Sequence, residues 1–426
     1  MNILIKNIKA VLLKDDAYTV EKTDIYISNH EIVSVGEDVD GFTPDKVIDG
    51  EGKLAMPGFV NAHTHAYMSL FRNCADDLAF DDWLFGTILP MEDKLTGEDA
   101  YWGTLLSCIE MIRTGTTSFI DMHLFPHHVA KAVSDIKMRA VLTRGLVGEN
   151  DDEGGRERIN QAIADIEEFK ESRLIKFMLA PHAPYTCNDG YLEICAKEAK
   201  KLGVGINTHL SESENEMKTI MEKYGCSPIE LMERTGIFEN KTVAAHCVNL
   251  SDKDIDLLKK YDVTVATNPV SNMKLGNGFA PVAKLLEKGV NVALGTDSSA
   301  SNNNLNMISE LNTLTLIHKG TAKNAQTVSA SEGFKIATLN GAKAIGEKVG
   351  LIQKGYLADI SVMSLDYPWL KPESDLIAAL SYSATGAEFE TVIIDGEIVM
   401  EDRKILFADE NEVYEKCTEI INRIKN

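Results

Sequence analysis

Over the first ~55 residues apolar and polar positions alternate in short runs, ILIKNIKAVLL (3–13), TDIYISNHEIVSVG (23–36) and KVIDGEGKLAM (46–56), with Asp49-Gly50 as a turn signal. Successive strand side chains face opposite ways, so this alternation predicts half-buried β-sheet. From Gly58 the pattern changes to short apolar runs, each followed by a helix-period stretch. The runs are GFVNAHTH (58–65), TTSFIDM (116–122), RAVLTRGLV (139–147), IKFMLAPH (175–182), VGINTHL (204–210), TVAAHCV (242–248), VTVATN (263–268) and NVALGTD (291–297). Between the first two, a helix is predicted from Thr96, whose hydroxyl can cap it, with Trp102, Leu105, Leu106, Ile109 and Ile112 on one face and Gly115 as its stop. Ser227-Pro228 and Ser251 open two later helices. Alternation returns after residue 355 in ADISVMSL and TVIIDGEIVME, the latter with an Asp395-Gly396 hairpin signal.

Eight strand-helix units in this length predict an α/β fold, a closed (β/α)8 TIM-like barrel over 57–355. The flanking segments, 1–56 and 356–426, are predicted to combine in a small β-sandwich module. The chain has 426 residues and a net charge of −22, with no Lys/Arg-rich run, so a nucleic acid or an anionic membrane is not an expected partner. Neither a signal-type apolar core nor a stretch of membrane-spanning length occurs, which predicts a cytoplasmic protein. Seven cysteines are scattered with no Cys-x-x-Cys pair, so they are expected as buried thiols and not as a disulfide frame or thiolate zinc site.

Parallel barrel strands open their C-terminal ends on one face, where barrel enzymes build their sites. His63 and His65 end the first predicted strand, His182 follows the fourth, and His209, His246 and Asp297 end the fifth, sixth and eighth. The two-residue spacing of His63 and His65 aims both into the barrel mouth and Thr64 outward. Three neutral imidazoles and one carboxylate suit one borderline divalent ion, Zn2+ foremost, with a position open for water. The expected ligands are His63, His65, His209 and Asp297.

The stretches PGFVNAHTH (57–65), PMEDKLT (90–96), TRG (143–145), APHAPYTC (180–187), THLSESENE (208–216), AHCV (245–248), NPVSNMKLGNGFAPV (268–282) and LGTDSSASNNNLNM (294–307) carry a resemblance across the whole chain. In them the sequence resembles the amidohydrolase superfamily, and within it the 5-methylthioadenosine/S-adenosylhomocysteine deaminases. The resemblance implies hydrolytic deamination of adenosine thioether nucleosides to the inosyl analogue and ammonia by a metal-bound hydroxide. It makes Glu212 the proton carrier, His246 the residue that holds the attacking hydroxide, and Asp297 both ligand and proton acceptor. For substrate binding it implies Glu92 at the ribose hydroxyls, His182 beside the nucleoside, and Arg144 with Arg156 at a homocysteine carboxylate. Binuclear relatives carry a lysine at the end of the fourth strand; here that strand ends Ala180-Pro181-His182 and Lys176 lies too early, so one metal is expected.

Other residues have plainer expectations. Glu214 and Glu216 are expected as solvated loop carboxylates, His123, His127 and His128 as loop or supporting residues, and His30 and His318 as structural. DDWLFGTILP, around Trp83, suits a pocket wall, a lid or a subunit contact, and a homo-oligomer stays open. Two other functions compete: the same machinery aimed at guanine or a triazine, which needs neither Glu92 nor the arginines, and a metal-free scaffold paralogue, which predicts broken ligands. The partner expected is a small-molecule nucleoside.

Overall fold

The computed structural model describes residues 1–425. The amino-terminal alternation forms β1 (Asn2–Lys14), β2 (Ala17–Ser28), β3 (Glu31–Val35), β4 (Lys46–Asp49) and β5 (Lys53–Pro57). Eight parallel strands follow: β6 (Phe59–Thr64), β7 (Thr116–His123), β8 (Arg139–Leu146), β9 (Ile175–Pro181), β10 (Ile206–Leu210), β11 (Thr242–His246), β12 (Thr264–Thr267) and β13 (Asn291–Leu294). Near the carboxyl terminus come β14 (Ile360–Ser364), β15 (Phe389–Ile394), β16 (Glu397–Glu401) and β17 (Lys404–Ile405).

β6 to β13 lie in sequence order, and the path closes where the Asp297 N–H beyond β13 donates to the His63 carbonyl of β6 (2.9 Å). The interior is filled: Val60, Ala62, Ile120, Val141, Met178, Val243, Ala266 and Ala293 form one buried cluster, stoppered by Ala342, Ile345 and Val349. A filled interior confines ligand space to the ends. The helix Gly97–Arg113 starts as the sequence predicts, with the Thr96 hydroxyl accepting from the Asp99 N–H while the Asp99 carboxylate accepts from the Thr96 N–H. Ser227 and Ser251 close equivalent capping boxes, and Gly115, just past the end of Gly97–Arg113, takes a left-handed φ of 84° that would strain a residue with a Cβ.

The two ends of the chain share one nine-stranded mixed sheet, in the order β17-β16-β15-β14-β5-β1-β2-β3 with β4 beside β1. β5 joins them, parallel to β1 and antiparallel to β14. The Asp395-Gly396 signal closes the β15–β16 hairpin with left-handed φ values of 51° and 73°. Ile3, Ile5, Ile8, Ile25, Ile27, Ile360 and Val362 give this sheet a core separate from the barrel. At the junction Arg139, buried at the start of β8, donates from Nε to Asp359 Oδ2 (2.8 Å) and from Nη2 to Asp359 Oδ1 and Asp395 Oδ1 (both 3.1 Å).

Two features differ from the sequence expectation. Within 356–426 the segments Leu376–Tyr382 and Glu410–Lys425 are helical. The second buries Val413, Cys417, Ile420 and Ile424, a 3.6-period stripe, against Gly97–Arg113, with Arg113 forking onto Glu410 (2.7 and 2.6 Å). The eighth barrel strand is also shorter than predicted, so Asp297 stands three residues past its end. Among the described residues no helix is long and apolar enough to cross a membrane, and all seven cysteines are unpaired.

Candidate active site

Short strands and sharply turned strand ends build the site. β6 carries His63 at its C-terminal end and His65 one residue beyond. Between them Thr64 is buried, and its hydroxyl donates to the Asp297 carbonyl (3.2 Å) and so braces the barrel closure. His246 ends β11 with φ 72°, and Asp297 has φ 62°. Left-handed φ is unfavourable for residues with a Cβ and persists only where the surroundings impose it. Here it turns both side chains into the mouth. Gly295 permits the closure, because a Cβ there would meet Asn268 Oδ1 at 2.4 Å and His63 N at 2.9 Å.

His63, His65 and His209 offer ring nitrogens within 4.8 Å of one another, and His63, His246 and Asp297 offer two ring nitrogens and a carboxylate oxygen within the same distance. Nε2 of His63 and of His65 each lie 3.5 Å from Asp297 Oδ1. The tautomers follow from the outer contacts. His65 Nδ1 lies 2.7 Å from the Met122 carbonyl and His209 Nδ1 2.9 Å from the His182 carbonyl, so each Nδ1 carries the proton and donates it. The two Nε2 atoms, 3.2 Å apart, then present lone pair to lone pair. Burial lowers the pKa of both rings below the usual histidine value, so protonation does not relieve the contact. Burial likewise pushes His63 down to about 4, and neither of its ring nitrogens has a hydrogen-bond partner. Buried acceptors facing one another without a donor are costly. A cation among them satisfies all three, and carbonyl-anchored imidazoles are the usual support for metal-binding histidines. The donor set therefore fits a divalent metal ion, as three nitrogens and one carboxylate oxygen.

Asp297 is held in its anionic form. Burial would raise its carboxyl, but the contact with His63 and the neighbouring His246 and His65 rings outweigh burial and hold it well below the usual range. Its Oδ2 accepts from Ser271 Oγ (2.5 Å) and Ser301 Oγ (2.9 Å), and its Oδ1 accepts from the Ser298 N–H (2.8 Å). His246 shows the reverse balance: burial would lower it, but Glu212 and Asp297 raise it above the ordinary histidine value. Its Nδ1 donates to Asn272 Oδ1 (2.8 Å), leaving Nε2 3.7 Å from Glu212 Oε2. Burial raises Glu212 above the ordinary carboxylate value. Asn277 fixes its other oxygen (3.0 Å). An ionisable carboxylate and an imidazole facing one point are the equipment for proton transfer.

A cavity of about 380 Å³ opens beside these groups. His65, His182, His209, Glu212, His246, Asp297 and Glu92 line it on one side; Phe80, Trp83, Ile88 and Leu89 line it on the other. The Trp83 segment is thus a wall of the cavity, pinned where Trp83 Nε1 donates to the Ala300 carbonyl (3.2 Å). Its helix passes through a π turn at Leu84–Ile88, a geometry frequent at functional sites. Glu92 is buried, and burial raises its carboxyl; the fully buried Tyr67 hydroxyl donates to it. His182 is pushed down to about 4 by burial, so it enters the cavity neutral, with Nδ1 3.0 Å from Thr186 Oγ1.

Not every expected residue reaches the cavity. Arg144 does not line the cavity; its Nη1 donates to the Leu124 carbonyl (2.5 Å), and its Nε is buried and unpartnered. Arg156 is on the outside of the helix Glu153–Phe169, where Nε donates to Asp151 Oδ1 (2.8 Å) and Nη1 lies 3.8 Å from Glu198. Glu216 corrects the expectation of a solvated loop carboxylate. It is buried, its carboxylate accepts from the N–H groups of Ser211 (2.8 Å) and Glu212 (2.9 Å), and it fixes the backbone that presents Glu212. Glu214 is exposed. His123 is the buried last residue of β7, while His127 and His128 lie in the helix Pro126–Ile136 and not in a loop. Lys176 pairs with Glu347, away from the mouth. Sequence reasoning missed Tyr67, Ser271, Asn272 and Asn277. The last three lie in NPVSNMKLGNGFAPV, where small polar residues following a strand end were the available signal.

The chain is similar to known proteins over nearly its whole length. The Amidohydrolase family profile matches residues 54–399. A 5-methylthioadenosine/S-adenosylhomocysteine deaminase of Caldanaerobacter subterraneus subsp. tengcongensis is 46% identical over 418 residues, covering 97% of this chain and 96% of that one. A 5′-deoxyadenosine deaminase of Methanocaldococcus jannaschii is 44% identical over 421 residues, covering 98% and 100%. Among solved structures, an adenosine deaminase from Xanthomonas campestris with bound zinc superimposes with a TM-score of 0.95 at 30% identity, over 99% of this chain and 98% of that one.

Proposed function

The chain belongs to the amidohydrolase family, and on that premise we propose that it deaminates adenosine thioether nucleosides, 5′-methylthioadenosine and S-adenosylhomocysteine foremost, with 5′-deoxyadenosine and adenosine in the same class. The products are the inosyl analogue and ammonia. The observation that carries the metal dependence is the pair of facing, unprotonated Nε2 atoms of His65 and His209 beside the unpartnered His63 ring. We assign His63, His65, His209 and Asp297 as the ligands of one divalent ion, Zn2+ by preference for this donor set. The relatives' names support the nucleoside assignment. In this reading 57–355 is the catalytic domain, and 1–56 with 356–426 form the composite module.

A divalent ion in this setting supplies Lewis acidity, which lowers the pKa of water from 15.7 to about 7. The chain's own groups do the rest. Glu212 takes a proton from the attacking water and delivers it to the adenine ring nitrogen N1, making C6 more electrophilic. His246, raised in pKa and oriented by Asn272, holds the nucleophile's oxygen opposite Glu212. Asp297, anionic and bonded by two serine hydroxyls, accepts the remaining water proton and passes it to the departing amine. The C6–N bond then breaks and ammonia leaves. Glu92, positioned by Tyr67, accepts from the ribose hydroxyls, and Arg144 meets a carboxylate tail once it gives up the Leu124 carbonyl. Arg156 joins it only after exchanging its Asp151 contact for that tail.

The test is ammonia release from the zinc-loaded protein given methylthioadenosine, S-adenosylhomocysteine, 5′-deoxyadenosine, adenosine, guanine and an aminotriazine. Release from the nucleosides is expected. Release from guanine or the triazine alone overturns the substrate assignment.

A further inference from the structure

A second cavity, about 560 Å³, lies at the opposite end of the barrel, where strands begin. Thr264 and Asn291, the first residues of β12 and β13, form its floor. Asn291 Nδ2 donates to Thr264 Oγ1 (3.0 Å) and to the Asn340 carbonyl (3.2 Å), so the floor is fixed by hydrogen bonds. Around the walls stand Lys241, just before β11, Lys259, at the end of the helix Asp252–Lys260, and Lys335 and Lys343, from the helices Ala330–Ala337 and Leu339–Ile345.

The charge balance here is the reverse of the molecule's. The chain carries 65 acidic against 43 basic side chains, and most of the ion pairs on its surface engage a lysine or arginine. This cavity has four lysines against two carboxylates, Asp262 and Glu332. Glu332 is occupied, accepting from the N–H (2.9 Å) and hydroxyl (2.8 Å) of Ser329 as a helix cap. Lys259 donates to the Gly289 carbonyl (2.8 Å). Among the described residues the ammonium groups of Lys241, Lys335 and Lys343 have no ion-pair or hydrogen-bond partner, though three different elements bring them to one recess. Gathering like charges costs energy that an anion between them returns. Ammonium groups are compact point charges that suit phosphate oxygens, and the volume suits a small molecule. A net charge of −22 repels a polynucleotide, whereas a small anion can enter one local basic recess.

We propose that this cavity binds a small polyanion of the phosphate class, held by Lys241, Lys335 and Lys343. The binding does not depend on the deaminase reading, because no residue of the cavity reaches the strand ends that carry His63 or Glu212.

The test is calorimetric titration of the metal-loaded full chain with inorganic pyrophosphate at low salt, beside the Lys335→Ala/Lys343→Ala double variant and, independently, Lys241→Gln. Saturable binding by the parent is expected, weakened at least ~10-fold in each variant and by added salt, while ammonia release from methylthioadenosine is unchanged. Pyrophosphate can also sequester the active-site metal, but that heat is common to parent and variants. No saturable binding, or equal binding by all three proteins, overturns the proposal.

Discussion

At the scale of single residues, function turns on how burial and neighbours set protonation. In the proposed mechanism Glu212 is the base of the free enzyme and must be ionised to act. Burial raises its pKa, favouring the protonated form, so kcat/KM falls as pH drops through a value above the ordinary carboxylate range. Glu212→Gln is expected to keep its metal, lose ~10²–10⁴-fold in turnover and show no such acid limb. Metal content with a pH–rate profile checks it; near-normal turnover removes Glu212 from the mechanism. The histidines and Asp297 were legible in the sequence because strand-end position and imidazole chemistry are both written in local spacing. Glu216 was not, since nothing in SESENE says which glutamate tucks under the backbone. Arg156 shows the same limit: its neighbourhood depends on how the helix Glu153–Phe169 is rotated against Asp151 and Glu198.

Elements place those residues by ending early and turning sharply. β6 stops at Thr64 and β13 at Leu294, and the GTD turn after β13 crosses back to β6. Gly295 is the tightest point of that crossing. In Gly295→Ala the added Cβ must displace the Asn268 amide or the His63 backbone, and a loss of ~1–3 kcal/mol in urea unfolding with weaker metal retention is expected. Unchanged stability and metal affinity would show that the closure is slack. The barrel strands and their capped helices were readable because apolar run length and Ser/Thr caps are local signals. The helix Glu410–Lys425 was not separated from the terminal sheet, although Val413, Cys417, Ile420 and Ile424 carry a helical stripe, because sheet alternation just before it set the expectation.

Across the whole molecule, a sheet made from both chain ends is joined to the barrel through buried charge. Arg139 faces Asp359 and Asp395 at the start of β8, far from the mouth. Truncating it leaves the buried Asp359 carboxylate without its cation, while Asp395 keeps Arg173 (3.0 Å), so Arg139→Ala is expected to cost about 3–5 kcal/mol in unfolding free energy. A loss under about 1 kcal/mol would mean that water reaches the joint. No sequence pattern announces such a contact, because Arg139 and Asp395 lie on segments far apart in the chain and meet only once both sheets have formed. The strand ends together assemble the site proposed for metal-dependent deamination. Its most direct test is to strip the protein with a chelator and follow conversion of methylthioadenosine to its inosyl analogue before and after adding back zinc. No conversion by the stripped protein, with activity restored at one zinc per chain, is the expected result. Conversion that survives complete removal of metal, or none at any zinc loading, would contradict it.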